Sequence, residues 1–225
     1  MKVIIINSPL FRDRNDLYDE DSLPPIGLGY IATILQNNGI DVRLMDAVHQ
    51  RITLNDLIAT LHVIKPDFLA TNIFTTNYDL VKDMVEAIRF DTHFIIGGLS
   101  IKQLYKDIIN WKTNSPIDIV TGDGELITLD IVLNQLKEAP YLAINNKRFF
   151  LIDGKSNYEV KDISNVPLDR SFFLNEPVKH PLGFTEANIV TSRGCIYNCS
   201  FCAAARSLNK DYSIREKSEA SIIQE

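Results

Sequence analysis

Residues 66–100 read PDFLATNIFTTNYDLVKDMVEAIRFDTHFIIGGLS, and this stretch decides the fold. It opens on an apolar run, Phe68–Ile73, passes through Tyr78–Arg89 with apolar residues at three- and four-residue spacing, and closes on a second run, Phe94–Ile96. A short run that is apolar throughout belongs to a strand buried on both faces, and a helical period between two such runs makes a βαβ crossover. Each run ends in loop-forming residues, Phe74–Thr75–Thr76 after the first and Gly97–Gly98 after the second.

The same alternation extends in both directions. Further strands are expected at Val3–Ile6, Val42–Asp46 and Ile117–Val120, and helices at Gly27–Asn37, Leu54–Ile64, Ile101–Asn110 and Glu125–Leu136, with Gly39 as a C-cap. Five such strands make one doubly wound parallel sheet, flavodoxin-like or Rossmann-like, over residues 1–137. Beyond Leu136 the stretch 141–158, YLAINNKRFFLIDGKSNY, alternates around Asn145–Asn146 and again near Asp153–Gly154, which is hairpin chemistry. Residues 140–160 therefore read as a small β appendage. Pro167, Pro177 and Pro181 punctuate a linker over 161–185, so appendage and linker together occupy 138–185. A last apolar run, Ala187–Val190, begins a second unit over 186–225.

The chain has 225 residues, 45% of them hydrophobic, and a net charge of −6, so a core is affordable in size and no basic surface awaits a nucleic-acid backbone. The start, MKVIIINSPL, carries too short an apolar run for a signal peptide or a membrane span, and a cytosolic protein is expected.

In an open parallel sheet the ligand lies beyond the carboxyl ends of the strands. The loops there hold Asn7, Ser8 and Pro9, then Thr75 and Thr76, then Gly97 and Gly98, then Thr121–Glu125, TGDGE; Pro24, Pro25, Gly27 and Gly29 lie in SLPPIGLGY at a helix start. Each alone reads equally as a tight turn; together on one rim they mark a ligand site. Gly27-x-Gly29 lacks a third glycine and follows no strand directly, which sets it apart from a dinucleotide fingerprint. Asp91-Thr-His93-Phe-Ile-Ile-Gly97 resembles the Asp-x-His-x-x-Gly sequence that supplies an axial histidine to cobalt, but it has one residue too many and leads into the fourth strand. His93 therefore reads as a structural histidine at a strand start, and His49, His62 and His180 have no ligand pattern around them.

All three cysteines, Cys195, Cys199 and Cys202, lie in TSRGCIYNCSFC, residues 191–202. Crowding of this kind is unlike a disulfide framework and reads as a metal or cluster loop. The C-x3-C-x2-C spacing suits three corners of an iron–sulfur cube and leaves one iron open to a small molecule. Zinc held by these thiolates and a distant histidine is the alternative.

The loop resembles that of the radical S-adenosylmethionine enzymes, with Phe201 as the aromatic residue before the last cysteine. The resemblance implies that Cys195, Cys199 and Cys202 ligate a 4Fe-4S cluster and that its open iron chelates S-adenosylmethionine. The cluster's electron then cleaves that molecule to methionine and a 5′-deoxyadenosyl radical, with Phe201 near the adenine. It also implies that Ala187–Val190 is the first strand of a partial (β/α)6 barrel.

Residues 1–137 resemble the cobalamin-binding domain that precedes the barrel in many of these enzymes, through Pro24–Tyr30, Gly97–Gly98 and Gly122-Asp-Gly-Glu125. That likeness implies cobalamin along Pro25, Thr75, Thr76, Gly97, Gly98, Gly122 and Glu125, its tail displaced from cobalt. The implied activity is radical methyl transfer or rearrangement on a small-molecule or peptide substrate, with an electron donor, no nucleic acid and no membrane. A truncated, non-catalytic cofactor-binding module is the other reading. Only 23 residues follow Cys202, so the barrel is expected to be incomplete here, with 187–225 poorly ordered in isolation and Ile189 and Val190 exposed. A fragment, or a split subunit completed by a second chain, is the corresponding expectation.

Overall fold

The computed structural model of the chain describes residues 1–10, 12, 23–174, 176–179, 182–206, 208–210 and 212–225. The expected His180 and Pro181 features lie outside the described residues. The elements β1 (Lys2–Asn7), α1 (Ile26–Asn37), β2 (Asp41–Asp46), α2 (Leu54–Ile64), β3 (Phe68–Asn72), α3 (Tyr78–Ala87), β4 (His93–Gly97), α4 (Ile101–Ile108), β5 (Ile117–Thr121) and α5 (Glu125–Val132) run in strict alternation. The hairpin β6 (Leu142–Ile144) and β7 (Lys147–Leu151) follows. One seven-stranded sheet results, ordered β2-β1-β3-β4-β5-β7-β6 and parallel except for β6.

Strand periodicity of two distributes each apolar run between two cores. Ile4, Ile6, Leu69, Phe94, Ile96, Ile117 and Ile119 face the layer built by α2, α3 and α4. Val3, Ile5, Ala70, Ile95 and Val120 face α1 and α5. This two-sided burial is why β1, β3 and β4 show no polar alternation, whereas the edge strand β2 alternates exposed Asp41 and Arg43 with half-buried Val42 and Leu44. Gly39, in the left-handed region at φ 76°, turns the chain out of α1 toward β2.

The hairpin expected at 140–160 turns at Asn145, which also adopts a left-handed φ of 55°. It is built onto the domain's own sheet: β7 pairs in parallel with β5, Ile117 opposite Lys147 through Thr121 opposite Leu151. The reason lies in Asp118, a fully buried carboxylate at the second position of β5, near its amino end. Arg148, directly across on β7, donates to both its oxygens at 2.6 Å, and His93 Nε2 at the start of β4 lies 3.0 Å away. The buried charge thus joins three strands, and His93 is structural, stacked on Phe68 at 5.3 Å. Burial pushes the Asp118 carboxyl up, but hydrogen bonding and charge from His93 and Arg148 outweigh it and hold the pKa below the ordinary carboxylate value.

The stretch 161–185 is not a free spacer. Two short 3-10 turns, Ile163–Asn165 and Arg170–Phe172, fold back on α1, where Val160, Ile163, Val166 and Phe173 bury against Ile26 and Tyr30. A Cβ at Gly29 would lie 2.3 Å from the Phe173 ring, so this glycine lets the segment seat on the helix.

Beyond it lie β8 (Val178–Lys179), β9 (Thr185–Glu186), β10 (Ser192–Arg193), β11 (Arg215–Glu216) and α6 (Glu219–Gln224). Ala187–Val190, expected as a strand, has no ladder partner and is not one; the pairing falls instead on β10 with β11, antiparallel. A strand exists only by its neighbours' hydrogen bonds, and no parallel neighbour stands beside 187–190 among the described residues. Ser218 caps α6 by accepting from Ser221 N at 3.2 Å. No helix among the described residues is long and apolar enough to cross a membrane.

Asp118→Asn is expected to cost about 3 kcal/mol at neutral pH, because it leaves Arg148 partly buried without its counter-charge. The folded pKa is depressed, so this contribution is present above the ordinary carboxylate range near pH 4 and disappears as pH falls through the folded value. Thermal denaturation at pH 7, 5 and 3 should show the gap between wild type and variant closing at the acid end.

Candidate functional site

At the carboxyl ends of β1, β2 and β3 the apolar strands give way to a chain of amides. Asn7 Nδ2 donates to Asp46 Oδ1 at 2.8 Å, Asn72 Nδ2 donates to Asn7 Oδ1 at 3.1 Å, and Ser8 N donates to Asn72 Oδ1 at 3.4 Å. Buried Asn77 continues the chain: its Nδ2 donates to Ser8 Oγ at 3.3 Å, and its Oδ1 accepts from Phe74 N at 2.6 Å. These contacts set the loop after β3 so that Thr75 and Thr76 are exposed at its tip.

The loop after β4 lies beside it. A Cβ at Gly97 would meet nothing closer than Val120 O at 3.6 Å, and the neighbouring Leu99 is exposed. Gly98 is different. At φ 137° its Cβ position falls 2.4 Å from Ile73 O, so this glycine is required by the backbone of the adjoining loop, whatever ligand the rim holds.

The loop after β5 carries TGDGE, and here the rim is covered by the chain itself. A Cβ at Gly122, φ 97°, would lie 2.1 Å from Ile152 O and 2.9 Å from the Tyr212 ring. Tyr212 Oη is 3.1 Å from Thr121 Oγ1, and Lys102 on α4 donates to Leu208 O at 2.6 Å. The two acids of the loop are buried against arginines from the cysteine-bearing segment. Arg193 donates to Glu125 Oε1 at 2.5 Å and to Asp123 Oδ1 at 3.0 Å. Arg215 pairs with Asp123 as well and donates to Val160 O at 2.5 Å, while Val160 N donates to Asp123 Oδ2 at 2.9 Å. Burial works against the charge on Arg193, but Glu125 and Asp123 more than offset it and raise the guanidinium pKa above its ordinary value. The same guanidinium lies over the Tyr30 ring, 5.1 Å from its centroid, and Lys217 lies 5.2 Å from it.

Between the two arginines runs the loop with the three thiols. All three cysteines are free; Cys199 is exposed and Cys195 and Cys202 are half-buried. Cys202 N donates to Cys199 O at 3.2 Å, and Arg206 N donates to Tyr197 O at 2.8 Å, which folds the loop back on itself. The donor set, three unpaired soft thiols within one such loop, fits an iron–sulfur cluster in kind. Among the described residues no three Cys, His, Asp or Glu side chains are already gathered round a common metal point. Ile196, Tyr197 and Phe201 around the thiols are exposed, Phe201 at 91%. Ile189 is exposed and Val190 half-buried, the latter against the cluster formed on α1.

Of the residues singled out in the sequence, Thr75 and Thr76 are exposed in the loop after β3, Gly97 ends β4 beside them, Pro25 precedes α1, and Gly98 and Gly122 face backbone. Glu125 turns to Arg193. Asn7 was singled out as a rim residue, but its partners Asp46 and Asn72 and the arginines Arg193 and Arg215 were not, although Arg193 stands two positions before the first cysteine.

Residues 19–132 match the B12 binding domain. Among curated proteins the chain is similar to an uncharacterized methyltransferase of Pyrococcus horikoshii, 24% identical over 199 residues, covering 83% of this chain and 42% of that protein. It is also similar to the hopanoid C-3 methylase of Methylococcus capsulatus, 24% identical over 221 residues, covering 95% and 42%. The chain thus spans about two fifths of the length of these relatives. Among solved structures, 99% of the chain superposes on 44% of the radical S-adenosylmethionine methyltransferase TsrM of Kitasatospora setae, with tryptophan substrate and a SAM analogue bound, at TM-score 0.63 and 16% identity. It likewise superposes on 30% of the cobalamin-dependent S-adenosylmethionine radical enzyme OxsB in its apo form, at TM-score 0.67 and 18% identity. These likenesses agree with the fold.

Gly98→Ala is expected to destabilise the whole domain by about 1–3 kcal/mol, the usual cost of holding a side chain in such a backbone conformation. Chemical denaturation of the ligand-free protein measures it; a variant as stable as wild type would mean that the loop after β3 yields without cost.

Proposed function

The chain belongs to the B12 binding domain family, and from that premise we propose that it binds cobalamin over the carboxyl rim of its sheet and presents a cluster loop to it. In this reading the protein is the cofactor-binding portion of a cobalamin-dependent radical S-adenosylmethionine enzyme, most simply a methyltransferase. One observation carries it: the C-x3-C-x2-C loop is tied by buried ion pairs to the rim of a B12-family sheet.

The open half of that rim is where cobalamin is proposed to lie. Thr75 and Thr76 offer exposed hydroxyls and backbone, and Gly97 leaves room for close approach, whereas the β5 side is occupied by Tyr212 and residue 208. His93, the histidine of the axial-ligand look-alike, does not stand on this rim: it is committed to Asp118 at the opposite ends of the strands. Cobalamin would accordingly be held by its periphery and tail.

Cys195, Cys199 and Cys202 would hold three irons of a 4Fe-4S cluster, and Phe201, fully presented to solvent, would cover the adenine of S-adenosylmethionine. When bound, the cluster supplies the electron for reductive cleavage and cobalamin the methyl-carrying or electron-accepting metal. The chain's own part is to seat both groups and to bring the loop and the rim within one folded unit; a cytoplasmic location, part of the same proposal, keeps the thiols reduced. A small-molecule or peptide substrate, an electron donor and a second chain completing a barrel belong to the same proposal. The alternative, a cofactor-binding module without turnover, shares the rim and the thiols and differs in lacking cleavage of S-adenosylmethionine.

Anaerobic reconstitution tests what the two readings share, and formation of 5′-deoxyadenosine from S-adenosylmethionine and reductant, expected of the enzyme alone, separates them. The 225-residue protein should take up about four irons per chain with charge-transfer absorbance, and Cys199→Ala should fall to background iron. A Cys199→Ala protein that reconstitutes to wild-type iron and an unchanged cluster EPR signal would remove that ligand from the assignment. Titration with hydroxocobalamin should give a saturable spectral change in both proteins, because the rim does not depend on the thiols; no change in either counts against the rim site.

A further inference from the structure

The ladder between β10 and β11 sets Arg193 directly opposite Arg215. Two like charges across an antiparallel pair repel, and this ladder has only two residue pairs to resist them. Both side chains are largely buried, 17% and 10% exposed, so water screens them little. What lies between them is Asp123, bonded to both, with Glu125 on the outer side of Arg193. The carboxylates are themselves 7% and 4% exposed and stand in the loop after β5.

We propose that Asp123 and Glu125 are positioning residues for the three thiols: they neutralise an arginine at each end of the cysteine loop and so fix both ends to the rim. Cys195 follows Arg193 by two residues, and Cys202 precedes Arg215 on the far side, so every thiol hangs between the two anchored points. The anchoring is geometry in its own right; its meaning for cofactor chemistry rests on the reading of these cysteines as cluster ligands. Val160 strengthens the clasp, since its N–H bonds Asp123 while its carbonyl accepts from Arg215. Apolar contact is confined to the stretch after the thiols, where Ala205 is buried and the Tyr212 ring packs by Gly122; around the thiols themselves Ile196, Tyr197 and Phe201 face solvent.

The test uses the full chain without cofactor, so it is independent of whether a cluster forms. In Asp123→Asn, amide hydrogen exchange over 191–217 should accelerate at least about tenfold while β1–β5 stay protected, which corresponds to about 1.4 kcal/mol of lost local stability. Alkylation of half-buried Cys195 and Cys202, resolved by mass, should approach the rate of exposed Cys199. A charge role has a further signature: the double variant Asp123→Asn with Arg215→Gln should be better protected than Asp123→Asn alone, because the arginine left without a carboxylate is gone while Arg193 keeps Glu125. Wild-type exchange in Asp123→Asn, or a double variant that is the more exposed, would overturn the assignment. Should Asp123→Asn lose the protection of β1–β5 as well, Glu125→Gln, which leaves Asp123 in place, is read for the same local loss over 191–217, and Arg193→Lys, which keeps the charge, should stay closer to wild type than Arg193→Gln. Failure here with Cys199→Ala still losing the cluster would discard the anchor alone; the converse would discard the cluster alone.

Discussion

A parallel sheet whose strands are apolar on both sides can meet water only at its ends, and that constraint organises this molecule. Once Val3–Ile6, Leu69, Phe94–Ile96 and Ile117–Val120 are shared between two helical layers, polar chemistry has nowhere to go but the strand termini. The amino ends receive one charge centre, Asp118 with His93 and Arg148, whose work is to hold β7 on the sheet. The carboxyl ends receive the amide chain, the glycine turns and the acid pair. Structural and functional charges are thus segregated along the strand direction.

The two buried charge centres also differ in kind. Asp118 accepts a bidentate guanidinium at a fixed register inside a ladder of five residue pairs, so backbone pairing would hold much of the geometry without it. Asp123 supports a ladder of two. Burying an ion pair costs several kcal/mol of desolvation, and the return is mainly in specificity of placement. A segment with so little apolar contact draws its position from those charges.

Much of the domain was legible in the sequence because its signals are local. Each of the five apolar runs became a strand within a residue or so, and Gly39 and Asn145–Asn146 turned where their chemistry requires. What was not legible is nonlocal. Nothing between 140 and 160 says that Arg148 will find Asp118, 30 residues away, and turn a hairpin into sheet edge. Likewise Arg193 and Arg215 reach Asp123 across 70 and 92 residues. Glycine proved ambiguous for a physical reason: a missing Cβ signals that something comes close, without saying what. At Gly98 and Gly122 it is the chain's own carbonyls, Ile73 and Ile152, whereas a Cβ at Gly97 would meet only Val120 O at 3.6 Å and one at Gly27 nothing within 4 Å.

The division of the rim follows from these same crowding contacts. Over β5 the close approach of residue 152, the Tyr212 ring and the Asp123 arginines consumes the space that the loop's glycines create. Over β3 and β4 the corresponding loops are set from below, by Asn77 and by Gly98 against Ile73, and their upper surface carries Thr75, Thr76 and Leu99 with no covering segment among the described residues. The half of the rim that is packed holds the thiol loop; the half braced from below leaves Thr75, Thr76 and Leu99 exposed among the described residues, and it is there that cobalamin is proposed to lie. A ligand there would meet loops already held from beneath by Asn77 and by Gly98 against Ile73, so binding would have less of the receiving loop left to order, and the entropy cost that usually accompanies a loop site would be smaller.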